Sequence, residues 1–287
     1  MGEIVALRPL NDVSLTTLEP SNSKPISSKY PSSRIQKGLV LQHGNRCLSE
    51  EGVGFGVPIL KFGRETIFPG PGACSVRIKR HDDHTLIEAD FVLNLMMRMS
   101  RNGRIIKSHG LYKTKEMLSF LHRSYPFLRK CLSFSSGLLR EAFSLEDIFV
   151  EVTPVCAVKV NYKIKDCRII VELRHFHFAG LDEEKSAEVV VMNEQGANYF
   201  NTYLDSEGRF LQKDEIGCWE EINAAAASFL SPAERISFTL KRAKAARMFR
   251  GRELAPGRLA WSGLAYVLSP ETKRFTYSID IASIGRT

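Results

Sequence analysis

A chain of 287 residues that is 44% hydrophobic and 25% charged has the composition of an ordinary globular protein, which excludes wholesale disorder. No apolar run approaches the roughly 18–20 residues of a membrane span, and the opening MGEIVALRPLND lacks the basic start and long apolar core of a signal peptide. Net charge is +8, of which residues 241–258 supply +6 through seven basic residues against one acid, Glu253. The expectation is a cytoplasmic protein without a membrane anchor. Its cysteines (47, 74, 131, 156, 167 and 218) are scattered and reduced, with no CxxC pair, so neither a zinc site nor a cofactor is expected.

In chain order, residues 14–36 are rich in Ser, Thr and Pro and poor in large apolar groups. Residues 1–36 are therefore expected to be a mobile leader ahead of a single domain at 37–287. Strands are predicted at 37–43, 53–61, 64–68 and 74–80. Within GVGFGVP (52–58) glycines at alternate positions strip one face of side chains, so a neighbouring element can approach closely. RHDDH (80–84) holds two His and two Asp, but it falls where one strand must turn into the next, and a solvated turn is expected there with no metal.

The clearest strand is 85–99. Ile87, Ala89, Phe91, Leu93, Leu95, Met97 and Met99 alternate with a polar face that includes Glu88, Asp90, Asn94 and Arg98. Asn102-Gly103 supplies a two-residue hairpin turn, which would pair Arg98 with Lys107 and bring His109 to the polar face. Residues 114–146 show helical spacing and form the expected helical insertion. A second hairpin is predicted with Lys165-Asp166 as its turn. It pairs Tyr162 with Ile169, sets Lys159 opposite Glu172, and places His175 opposite Cys156. Further strands are expected at 187–193, 197–204, 235–241, 258–268 and 273–281, with a helix at 219–230 (WEEINAAAASFL). Many strands and few helices predict a large, mainly β, antiparallel two-sheet sandwich.

Several surfaces carry residues suited to chemistry. His175, His177 and His109 are the candidate acid–base residues, with Cys156 beside His175 as a nucleophile pair. Tyr199, Asn201 and Tyr203 share a face of the strand 197–204, and Trp261, paired with Asp280 across a 269–272 loop, stands over small residues. Together they form a candidate stacking and hydroxyl-binding surface for sugars. Arg250 and Arg252 flank Gly251 and form a candidate anion clamp. Many long strands, a DSEG hairpin at 205–208 and late Trp and Tyr strands resemble the galactose mutarotase-like supersandwich, with no catalytic motif matched. Two functions follow as expectations. One is an enzyme or binder acting on a carbohydrate or other polar anionic small molecule. The other is a non-catalytic assembly protein whose basic segment 241–258 engages an acidic partner. Nucleic acid and membrane are not expected partners.

Overall fold

The computed structural model describes residues 4–10, 12–17, 36–50, 52–62, 65–99, 105–106, 148–178, 187–254, 260–269 and 271–285. Nearly all of them are strand, arranged as two antiparallel sheets facing each other across one core. Among the described residues the only helical turn is the short 3-10 segment Lys213–Glu215. The expected insertion at 114–146 lies outside the described residues.

The strands are β1 (Ile4–Ala6), β2 (Val13–Thr17), β3 (Leu39–His43), β4 (Arg46–Cys47), β5 (Gly54–Phe62), β6 (Glu65–Arg80) and β7 (Thr85–Met99). Next come β8 (Ile105–Ile106), β9 (Ile148–Lys165), β10 (Arg168–Phe178), β11 (Ala187–Gly196), β12 (Thr202–Asp205) and β13 (Phe210–Gln212). The chain ends with β14 (Glu220–Ile222), β15 (Ala226–Ser231), β16 (Ile236–Lys241), β17 (Ala246–Leu254), β18 (Ala260–Leu268) and β19 (Arg274–Ser283). Sheet A runs β1-β2-β3-β5-β11-β18-β17-β14. Sheet B runs β6-β7-β9-β10-β19-β16-β15-β12-β13. The long β6 leaves β5 in sheet A and joins β7 in sheet B, so it links the two layers.

The alternation read in 85–99 holds where side chains are described: Ile87, Ala89, Phe91 and Leu93 are buried and Glu88 and Asp90 are not. On β5, β11 and β18 the outer face is buried as well, around Val57, Ile59, Val190, Met192 and Ala265. A strand apolar on both faces reads as a continuous run, which explains Val189-Val190-Val191-Met192.

The sheets are pinned together at a bulge. Met192 pairs with Val57 and Asn193 with Phe55, so Gly56 has no partner in the ladder. Its φ of +73° suits glycine, and a Cβ there would lie 2.5 Å from the Tyr162 ring. The bulged peptide is satisfied by side chains instead. Gly56 N–H donates to Asn193 Oδ1 at 3.1 Å, and its carbonyl accepts Tyr162 O–H at 3.0 Å. Tyr277 O–H reaches the same Asn193 oxygen at 2.8 Å. Tyr162 and Tyr277 belong to β9 and β19 of sheet B, so four buried groups bond the sheets through the core. The alternate glycines do admit a neighbour, and it is a tyrosine of the facing sheet.

Five expectations are corrected. Part of the 1–36 leader is sheet: β1 pairs with β2, which pairs with β3, because Val5, Val13 and Leu15 bury in the core. Residues 219–230 form β14 and β15, where β-sheet pairing and burial of Ala227 and Phe229 override the helix propensity of alanine. The β9–β10 hairpin turns at Asp166-Cys167, one residue later than expected, with Asp166 at φ +53°. This pairs Tyr162 with Val171 and Lys159 with Arg174, a slip of two that leaves every face unchanged and so is invisible to alternation. Arg98 pairs with Ile106 and not with Lys107; Asn102-Gly103, Lys107 and His109 lie outside the described residues. Finally, β18 and β19 are not a hairpin. Residue 269 leaves sheet A and β19 enters sheet B, so Trp261 pairs with Gly196 and Glu253 while Asp280 pairs with Arg168 and Thr239.

Replacing Gly56 with alanine is expected to lower unfolding free energy by about 2–5 kcal/mol, from the left-handed backbone and the clash with Tyr162. Tyr277→Phe, which leaves Asn193 one of its two donors, should cost about 1 kcal/mol. Urea denaturation of the two variants checks the order; equal losses would contradict the bulge account.

Candidate functional site

Sheet B presents its outer face to solvent, and its central strands form a depression of about 490 Å³ there. Its floor is a cross-strand row in which Glu88 (β7), Asn161 (β9), Glu172 (β10) and Thr276 (β19) are directly paired. A second row, two residues along each strand, carries Lys159, Arg174 and Arg274 on three adjacent strands. On the other side lie Leu86, Lys163 and Ile170. These side chains face outward because their neighbours Ile87, Val160, Tyr162, Val171, Leu173, Phe275 and Tyr277 fill the core.

Like charges directly opposite each other in a sheet repel, and here three stand in line. The carboxylates are placed to offset them. Glu172, with its side chain only 13% exposed, is gripped by both Arg174 and Arg274. Asp90 approaches Lys159 at 3.7 Å. Glu88 accepts a hydrogen bond from Lys79 at 3.1 Å, and that bond, with the nearby Lys79, Arg77 and Lys159 charges, holds its carboxyl below the usual range. Lys163 forms no ion pair among the described residues. The depression therefore has four cations against two carboxylates. Three of its buried atoms, Asn161 Oδ1, Arg174 Nε and Glu172 Oε1, accept or donate no hydrogen bond, the last being ion-paired with Arg274. The arrangement suits holding an anion and pairing with hydroxyls.

The predicted site residues fall elsewhere. His175 and His177 lie on β10 beyond Arg174, but their side chains are outside the described residues, as is all of His109. Cys156 pairs with Phe178 across a register shift, not with His175, and burial pushes its thiol up to about 12, so it is no activated nucleophile. Tyr199, Asn201 and Tyr203 do not share a strand face, because 197–199 is a turn and β12 starts only at Thr202. Tyr203 is fully buried, donates to Asp205 Oδ2 at 2.8 Å and packs edge-on against Phe229. It is a core residue. Asp205 also accepts the Glu207 and Arg209 N–H groups, which closes the DSEG turn as expected.

Arg250 and Arg252 do point the same way, as alternate residues of β17, but toward the chain's own 213–220 segment. Arg250 is 0% exposed, bonds Glu220 at 2.5 Å and the Ile216 carbonyl, and stacks its guanidinium 5.0 Å from the Tyr203 ring. Arg252 bonds Asp214 at 2.9 Å. The clamp is thus filled internally, and burial is the reason. Arg247 likewise pairs with Glu188 and Glu221. Most of the basic segment, Ala246–Leu254, is strand β17.

Trp261 is half-buried on sheet A and donates its indole N–H to Glu253 at 3.1 Å. Near it sequence reasoning missed Glu194. This carboxyl is 4% exposed and pushed up to about 8, by burial first and the Glu253 charge second. Sequence reasoning also missed Glu234, a buried carboxylate in the β15–β16 turn that joins His43 at 2.6 Å and Arg46 at 3.0 Å across 191 and 188 residues of chain. No local pattern signals such a pair. RHDDH is a turn, as expected: His81 N–H bonds the His84 carbonyl at 2.9 Å, and the two imidazoles stack.

No protein-family model matches the chain, and no curated protein is similar to it in sequence. Among solved structures it superposes on the alpha-N-acetylgalactosaminidase NagBb of Bifidobacterium bifidum in complex with GalNAc, with a TM-score of 0.46 and 8% identity, over 98% of this chain. That alignment spans 37% of the NagBb chain, so this protein corresponds to little more than a third of its length. Slr1438 from Synechocystis sp. PCC 6803 aligns at a TM-score of 0.37 and 8% identity, over 95% of this chain and 92% of that one. HI1317 aligns at 0.36 and 9% identity, over 98% and 100%. At these levels the likenesses assign no role to any residue.

The buried Glu194 has a pH signature. Its folded pKa, about 8, lies above the unfolded value of 4.5. Below about pH 4.5 it is protonated in both states and costs nothing. Between those values the unfolded chain releases the proton and the folded one keeps it, so stability falls as pH rises, and the cost is complete above about 8. Glu194→Gln should therefore be no more stable than the parent at pH 4 and on the order of 3–5 kcal/mol more stable at pH 9. Chemical denaturation at both pH values measures the difference.

Proposed function

We propose that this protein binds an anionic, hydroxyl-bearing small molecule, a sugar acid or sugar phosphate, on the outer face of sheet B. The observation that carries this reading is the line of Lys159, Arg174 and Arg274 on adjacent strands beside the Glu88–Asn161–Glu172–Thr276 row. An anion bridging the cationic line relieves a repulsion that the two flanking carboxylates only partly offset. Asn161, Thr276 and the carboxylates supply the acceptors and donors that sugar hydroxyls need. Leu86 and Ile170, the latter unusually exposed for an isoleucine, give an apolar edge against which a ring's C–H face can lie.

The lining supports binding more than acid–base chemistry. Glu88 is held below the usual carboxylate range by Lys79, which disfavours it as a proton donor, and Glu172 is occupied by ion pairs to Arg174 and Arg274. The alternative in which residues 241–258 engage an acidic partner has less support, because Arg247, Arg250 and Arg252 already hold carboxylates of this chain.

Thermal-shift and calorimetric titrations test the reading with galacturonate, glucose 6-phosphate and, as control, neutral galactose. The two anions are expected to bind and to weaken as salt rises, and galactose is not. Arg174→Glu and Arg274→Glu should each reduce affinity roughly 10–100-fold, the worth of one charge-assisted hydrogen bond. Equal binding of galactose, or undiminished binding by both variants, would remove the proposal.

A further inference from the structure

The cations of sheet B do not stop at the rim of the depression. Arg77 and Lys79 stand on the same outer face of β6, and Lys165 and Arg168 flank the β9–β10 turn. Lys241 ends β16 next to Asp280, 3.8 Å away. All are well exposed. From β6 through β7, β9, β10 and β19 to β16 is five strand spacings, roughly 24 Å, several times the width of one sugar ring. Among the described residues across that width the carboxylates are Glu88, Asp90, Glu172, Asp280, which also pairs with Arg168 at 2.5 Å, and Asp83, which approaches Lys165 at 3.7 Å, and basic groups outnumber them. Between the charges run hydroxyls: Ser278 beside the depression, then Thr239 and Ser228, which share a hydrogen bond of 2.7 Å. A solvated face has no need of so one-sided a balance, since interspersed signs serve solubility as well.

Resting on the binding site proposed above, we infer that its ligand is one unit of an extended acidic polysaccharide that lies across the strands of sheet B. The charge of the face calls for a polyanion, and its span calls for a chain of several units. The choice among polyanions follows from what stands between the cations. Where side chains are described on this face, the groups between the cations are hydroxyl, amide and aliphatic rather than the aromatic rings on which single-stranded nucleic acid stacks. The hydroxyl and amide groups instead match the hydroxyls and ring oxygens of a carboxylated or sulfated glycan. Cations at the flanks, outside the depression, contact neighbouring units and add affinity through proximity.

The test compares galacturonate with galacturonate oligomers of two, four and eight units, in the parent and in a Lys165→Glu/Lys241→Glu variant, both positions lying outside the depression. A Lys165→Gln/Lys241→Gln variant serves if charge reversal disturbs folding, as judged by circular dichroism. The expected result is affinity that climbs with length in the parent, with a steeper salt dependence for the octamer than for the monomer. In the variants monomer affinity should be unchanged and octamer affinity should fall about tenfold. Monomer binding with no gain from length overturns the polymer inference alone. Oligonucleotides of matched charge that bind more tightly than the octamer overturn it in favour of nucleic acid. Failure of monomer and oligomers alike removes the binding site itself.

Discussion

The hydrogen bonds around Gly56 hold the two layers in register. A sandwich whose sheets meet only through apolar side chains is free to slide, because the hydrophobic effect has no direction. Here a bulged peptide of sheet A is completed by a tyrosine from each of two strands of sheet B, with Asn193 between them. All of these groups are buried, so losing one leaves polar atoms without water to replace it. The constraint reaches the opposite surface through alternation. Tyr162 points inward from β9, so Asn161 and Lys163 point out; Tyr277 points inward from β19, so Thr276 points out. The residues that fix the sheets also fix the floor of the depression.

Burial sorts the charges of this protein into two classes. The arginines of β17 lie in the most basic stretch of sequence, yet each is spent on a carboxylate of β11, β14 or the 213–220 segment. Arg250 in particular is a core residue: its guanidinium stacks over Tyr203, and its burial is tolerable only with Glu220 and the Ile216 carbonyl in place. The described cations of this face of sheet B are spread over five strands and look unremarkable in sequence, but pairing brings them side by side. A charge run along one strand sends alternate residues to opposite faces, whereas a charge row across strands concentrates them on one.

Sequence reasoning reached the sheet faces because alternation is a local consequence of the extended backbone. It assigned the buried face of β7 and the inward and outward sets of β9 and β10, and these are the strands that build the depression. It also read the close approach at the 52–58 glycines, the turn at RHDDH and the Asp205 turn. Its pairing errors have two causes. The Lys159–Glu172 and His175–Cys156 pairs assumed a turn that begins one residue too early, and apolar alternation is blind to a slip of two. The Trp261–Asp280 pair assumed that strands adjacent in sequence are adjacent in a sheet, whereas the chain crosses between layers there.

The amino-acid sequence by itself determined that this chain is a β protein, where most strands run and which side chains share a face, since each of these follows from a period of two along a single strand. Which strands lie side by side was decided only by tertiary structure, because pairing joins segments as distant in sequence as β5 and β11, or β10 and β19. The candidate site belongs to that second class. Lys159, Arg174 and Arg274 become one cationic line only when β9, β10 and β19 are laid together, and Arg250 ceases to be a ligand-binding candidate only when β17 is seen to be packed inside.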